Sequence, residues 1–112
     1  MVKLIILLKP PSEYTDAYAE GYNNFLIALD ALPGLRRKSV GHVFGGLAGH
    51  MPYSLVIEAY FDSRAALEQA LLSPAGVTAG QSLLRLTGPN ALALYADVLE
   101  EYYEPEPPDS TS

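Results

Sequence analysis

The sequence predicts an α+β fold of order βαββαβ: a four-stranded antiparallel sheet with its helices on one face. Three observations predict it. Strand-like and helix-like stretches follow one another in that order along 112 residues, a length that suits one domain with its own core. The opening stretch, residues 2–9, is apolar on both faces of the strand it would form. Residues 53–61 alternate as Tyr53, Leu55, Ile57, Ala59 and Phe61 against Ser54, Val56, Glu58 and Tyr60, which leaves one carboxylate in mid-strand among apolar neighbours.

In the first strand Val2, Leu4, Ile6 and Leu8 share one face, and Ile5 and Leu7 share the other. Lys3 ahead of this run gives it a passing likeness to a signal peptide. The apolar stretch is too short for one, though, and ends at Lys9-Pro10-Pro11. Ser12 or Thr15 is placed to cap a helix over residues 13–32, where Tyr14, Tyr18, Tyr22, Phe25, Leu29 and Leu32 recur every three or four positions. Pro33-Gly34 stops it.

Residues 35–44 alternate weakly and read as the second strand, followed by a Gly-rich loop to Pro52. Asp62-Ser63 caps a helix over residues 64–72, Ser73-Pro74-Ala75-Gly76 breaks it, and a further helical segment covers about 77–86. After the turn Thr87-Gly88-Pro89-Asn90, residues 91–99 form the fourth strand. The folded domain is expected to span 1–103. Residues 104–112, rich in Pro and acid, are expected to form a disordered tail, since they cannot bury enough apolar surface to offset the entropy of ordering them.

The net charge of −6 belongs to the C-terminal end. Residues 97–112 hold Asp97, Glu100, Glu101, Glu104, Glu106 and Asp109 with no Lys or Arg, so the rest of the chain balances seven acids against seven bases. Arg36-Arg37-Lys38 is the one basic cluster, too little for a nucleic-acid surface. No run approaches membrane-spanning length, and the absence of Cys excludes disulfides and thiolate chemistry. A cytoplasmic setting is the expectation.

Helices on one side of the sheet would leave Ile5, Leu7, Val56 and Tyr60 in water. An apolar face of that size marks an interaction surface. A standard interface hides about 800 Å² per partner, a gross gain on the order of 10 kcal/mol before association costs. A homodimer joined through the sheet faces is therefore expected, with a small apolar cavity between the sheets.

Glu58 is the leading candidate for chemistry, as a general base, as a hydrogen-bond acceptor for a ligand, or as an interface carboxylate paired with Arg or Lys from the partner subunit. His42 would exchange protons with it if both lie on one face, a matter of strand register. His50 reads as an exposed loop residue. Tyr14, Tyr18 and Tyr22 read as core or pocket wall. No metal-ligand spacing, phosphate loop or nucleophile elbow occurs, and no metal or cofactor is expected.

Leu32-Pro33-Gly34-Leu35-Arg36-Arg37 and Glu58-Ala59-Tyr60-Phe61-Asp62-Ser63 resemble segments of the EthD family of dimeric α/β-barrel proteins, and Met1-Val2-Lys3-Leu4-Ile5 and Leu72-Ser73-Pro74-Ala75-Gly76 also fit. The resemblance implies a ferredoxin-like fold, a homodimer, and a pocket between sheet and helices. It also implies a link to the breakdown of small organic compounds. The family's helix-one His would fall at Phe25, where the sequence has none, and an Asp common early in the third strand appears as Ser54. His42, Glu58 and Tyr60 match the family's positions.

Together these features predict a homodimer that binds a small, mostly apolar organic molecule in an accessory or carrier role, in catabolism or secondary metabolism. Glu58 and His42 are its candidate chemical groups, and Ser54, Val56, Tyr60 and Tyr22 line its ligand site. Two alternatives compete. One is a cofactor-free enzyme of monooxygenase, isomerase or dehydratase type using Glu58 and His42 for proton transfer. The other is a purely structural dimer whose cavity is filled by its own side chains.

Overall fold

The computed structural model describes residues 1–105. Its elements run β1 (Val2–Leu8), α1 (Asp16–Asp30), β2 (Arg37–His42), β3 (Leu55–Phe61), α2 (Arg64–Leu72), α3 (Pro74–Thr87), a 3-10 turn (Gly88–Asn90) and β4 (Ala91–Asp97). The strands lie in the order β2-β3-β1-β4, and every neighbouring pair is antiparallel. This is the expected ferredoxin-like α+β architecture.

The boundaries differ from expectation where capping decides them. α1 begins at Asp16 because the Thr15 hydroxyl accepts from the Tyr18 amide at 3.0 Å, which leaves Tyr14 outside the helix and exposed. Gly34, at φ 79°, turns the chain after α1 in a conformation that an L side chain rarely adopts. The expected break of residues 73–76 shrinks to Ser73. Its backbone N–H closes α2, its hydroxyl accepts from the Gly76 amide at 3.1 Å, and Pro74 opens α3 where a missing N–H costs nothing. Ser63, not Asp62, caps α2, and its hydroxyl accepts from the Ala66 amide at 3.1 Å. β2 and β4 are shorter than expected, starting at Arg37 and ending at Asp97. Of the expected tail, residues 106–112 lie outside the described residues.

The core sits between the sheet and the helices. Val2, Leu4, Ile6 and Leu8 of β1 and Ile57, Ala59 and Phe61 of β3 meet Phe25 and Leu29 of α1 and Leu67 and Ala70 of α2. Burying each of the larger side chains contributes about 1.5–3 kcal/mol. Phe25 is among the most deeply buried residues, so its place on α1 serves packing. Among the described residues no helix is long and apolar enough to cross a membrane.

Candidate functional site

Antiparallel partners directly opposite one another share a face, so the pairing fixes which side chains meet. Away from the helices stand Lys3, Ile5 and Leu7 of β1, Val56, Glu58 and Tyr60 of β3, Leu92, Leu94 and Ala96 of β4, and Arg37, Ser39 and Gly41 of β2. In the single chain Ile5, Leu7 and Val56 are half-buried and Leu92 and Leu94 exposed. The open apolar face expected from strand alternation is present at Ile5, Leu7 and Val56 and extends onto β4, but Tyr60, expected in water with them, is buried within the single chain under Arg37.

Glu58 is not isolated on that face. Lys3 Nζ lies 3.2 Å from its Oε1, and the Tyr60 hydroxyl donates to its Oε2 at 2.9 Å. Both Lys3 and Glu58 side chains are 24% exposed, so water still reaches the pair. The Arg37 guanidinium stacks on the Tyr60 ring at 4.1 Å from its centroid, with Lys3 Nζ 5.7 Å away, and Tyr60 is only 6% exposed as a result. Arg37 in turn reaches Glu100 beyond the end of β4, at 3.9 Å. A line of alternating charge, Lys3, Glu58, Arg37 and Glu100, therefore crosses one end of the sheet with Tyr60 in its middle. Its chemistry is that of a satisfied polar network: both Glu58 oxygens have partners.

His42 pairs with Leu55, which shares the helix-side face of β3 with Ile57, Ala59 and Phe61. His42 therefore stands on the helix side, exposed, while Glu58 stands on the open side. The shared face that proton transfer between them requires does not exist within one chain. Ser54 extends the Glu58 face at its far end, where its hydroxyl donates to the Leu8 carbonyl at 3.4 Å. Tyr22 lies on α1 and packs against the core, so the sheet separates it from Val56 and Tyr60. The four residues expected to line one ligand site are divided: Ser54, Val56 and Tyr60 on the open face, Tyr22 behind it.

Two clefts lie on the helix side. One, about 580 Å³, runs between α2 and β4, and the other, about 400 Å³, lies between α1 and α3 beside Tyr18 and Arg85. Neither is lined by Glu58, His42 or Tyr60. Lys3 and Arg37 are the members of the Glu58 network that the sequence alone does not single out. Lys3 alternates onto the face of Ile5 and Leu7, which is a usable signal, but matching it with Glu58 needs the register of β1 against β3.

Fold and register together define a ferredoxin-like chain with one apolar face of its sheet left open. No family model and no curated protein matches the chain, but solved structures do. An ethyl tert-butyl ether D (EthD) family protein from Bacillus halodurans is 28% identical, with a TM-score of 0.79 over 88% of this chain and 99% of its own. A dimeric ferredoxin-like protein of unknown function from Jannaschia is 20% identical, with a TM-score of 0.70 over 87% and 98%. SnoaB, a cofactor-independent oxygenase from Streptomyces nogalater, is 14% identical, with a TM-score of 0.67 over 92% and 97%. The chain is thus similar in structure to an EthD family protein, in line with the resemblance of its sequence motifs.

Proposed function

We propose that this EthD-like chain works as a homodimer, sheet against sheet, that holds a small and mostly apolar organic molecule as a carrier or accessory protein of catabolism or secondary metabolism, in the cytoplasm. The observation that carries the proposal is the open face itself. Ile5, Leu7, Val56, Leu92 and Leu94 form an apolar floor, bounded at one end by the Lys3–Glu58–Tyr60 network and at the other by Ser54. A second copy covering this floor would remove it from water, and the Jannaschia protein of the same fold is dimeric. Between two such floors the apolar side chains favour an apolar guest, and the polar ends offer it a hydrogen bond.

Carrier is preferred to enzyme because Glu58 is already paired on both oxygens and His42 is across the sheet. The likeness to a cofactor-independent oxygenase favours a second reading. There Glu58 would take a substrate proton with Tyr60 and Lys3 around it, and without His42.

Native mass spectrometry of the protein purified under gentle conditions tests the proposal. The expected spectrum shows two chains plus a small-molecule adduct, retained in Glu58→Gln, with no chemical conversion of the released compound by the wild type. An adduct converted by wild type and left intact by Glu58→Gln would establish the enzyme instead. A dimer that never carries an adduct, from any cell extract offered, would leave only a structural role and overturn both.

A further inference from the structure

β4 ends at Asp97, but the chain beyond it does not fold back onto the body. The Val98 amide still donates to the Met1 carbonyl at 3.0 Å. After that, no backbone group of residues 99–103 finds a hydrogen-bond partner among the described residues, and the segment forms neither helix nor strand. It nevertheless carries three large side chains that stand almost wholly in water: Leu99 is 85%, Tyr102 87% and Tyr103 83% exposed. The two hydroxyls are answered locally, since Tyr102 donates to Glu100 and Tyr103 to Glu101. What remains unanswered is ring area and bare backbone. Single exposed apolar residues are ordinary, whereas three within five residues on an unpaired backbone mark a contact surface.

Arg37 fixes the side on which this segment leaves. Its guanidinium lies over the Tyr60 ring on the open face of the sheet, and Glu100 stands 3.9 Å from it. The root of the segment is therefore at the polar end of the open face, beside Lys3 and Glu58, on the side that a second copy would occupy. Area points to the same occupant. The apolar floor is flat, and Ile5, Leu7 and Val56 on it are already half-buried. A standard interface hides about 800 Å² per partner. A buried tyrosine removes roughly 150–250 Å², so Tyr102 and Tyr103 together would add about 250–400 Å² to what the floor supplies. An unpaired backbone flanked by apolar side chains is also the kind of segment that adds to another chain.

We propose that Leu99–Tyr103 is an arm exchanged between two copies of this chain. Each copy lays Leu99, Tyr102 and Tyr103 on the other, so that the polar end of the chamber, at Glu58 and Tyr60, is closed only in the pair. The proposal rests on the sheet-to-sheet homodimer and names residues that complete its chamber.

Site-directed cross-linking in the full chain tests it. The sequence has no Cys, so Tyr103→Cys places a single thiol, which a benzophenone maleimide labels with an aromatic body in place of the ring. Equal amounts of isotope-labelled and unlabelled chains are denatured, refolded together, checked by sedimentation and illuminated. Exchange of the arm predicts that about half of the cross-linked peptides join a labelled to an unlabelled chain. The double variant Tyr102→Ser, Tyr103→Ser removes only exposed side chains, so the folded body should persist while the dimer dissociates about 100-fold more readily. A dimer whose cross-links stay within each chain, or a double variant that pairs as tightly as the wild type, would overturn the arm and leave the sheet-face dimer standing. Single chains throughout would remove the sheet-face dimer, and the arm with it.

Discussion

Tyr60 donates its phenolic hydrogen to Glu58 Oε2 at 2.9 Å, two residues along the same face of β3, beneath the Arg37 guanidinium. Within this network Glu58 is answered from two sides, by Tyr60 and by Lys3. Removing one partner therefore leaves the other. Tyr60→Phe should cost about 1 kcal/mol, the worth of one partly exposed hydrogen bond, with the fold intact. Urea denaturation of the variant checks it, and a gain in stability would show that the hydrogen bond contributes nothing net.

The junction between α2 and α3 is the tightest backbone approach at any glycine among the described residues. A Cβ at Gly76 would meet the Ala70 carbonyl oxygen at 2.2 Å and that of Leu71 at 2.4 Å. Neither is a flexible side chain that could swing aside. Gly76→Ala should destabilise by about 2–3 kcal/mol, although alanine is the better helix former. A thermal midpoint equal to the wild type's would mean that the junction yields freely.

Acid should weaken the chain through two surface pairs. Hydrogen bonding from Arg64 holds the Asp97 carboxyl below the usual carboxylate range, and Arg36 does the same for Asp62. Both groups bind a proton less readily folded than unfolded, so their contribution is complete above the ordinary Asp value of about 3.9. It is lost as pH falls through the lower, folded values. Both pairs are exposed, so the effect is small and shrinks with salt. The combined variant Asp62→Asn, Asp97→Asn should show a shallower loss of stability than wild type between about pH 5 and 2, measured by urea midpoints. Parallel acid profiles would contradict this.

The fold is legible because each element announces its own period. Val2, Leu4, Ile6 and Leu8 alternate as a buried strand, and Phe25, Leu29 and Leu32 recur as a helix stripe; the structure buries both sets. Glu58 stands out in the sequence as a charge on an apolar face, and its partners Lys3 and Tyr60 explain how that face holds it. Register and lateral placement are what the sequence does not encode locally. One residue of slip in β2 decides whether His42 faces Glu58 or turns its back on it, and weak alternation across Arg37–His42 does not determine the choice. Residue type alone groups Tyr22 with Val56 and Tyr60, whereas a whole sheet lies between them. The cleft beside Tyr95 depends on how far α2 sits from β4, a tertiary distance with no local signal.

The sheet-face chamber depends on a second copy covering Ile5, Leu7, Val56, Leu92 and Leu94. Sedimentation velocity at low micromolar concentration is the direct measurement. The expected result is a single species of about twice the 12.1 kDa chain mass, converted to single chains by Val56→Asp, which sets a charge in the middle of the joined faces. A wild-type chain that sediments as one stable 12.1 kDa particle would contradict it.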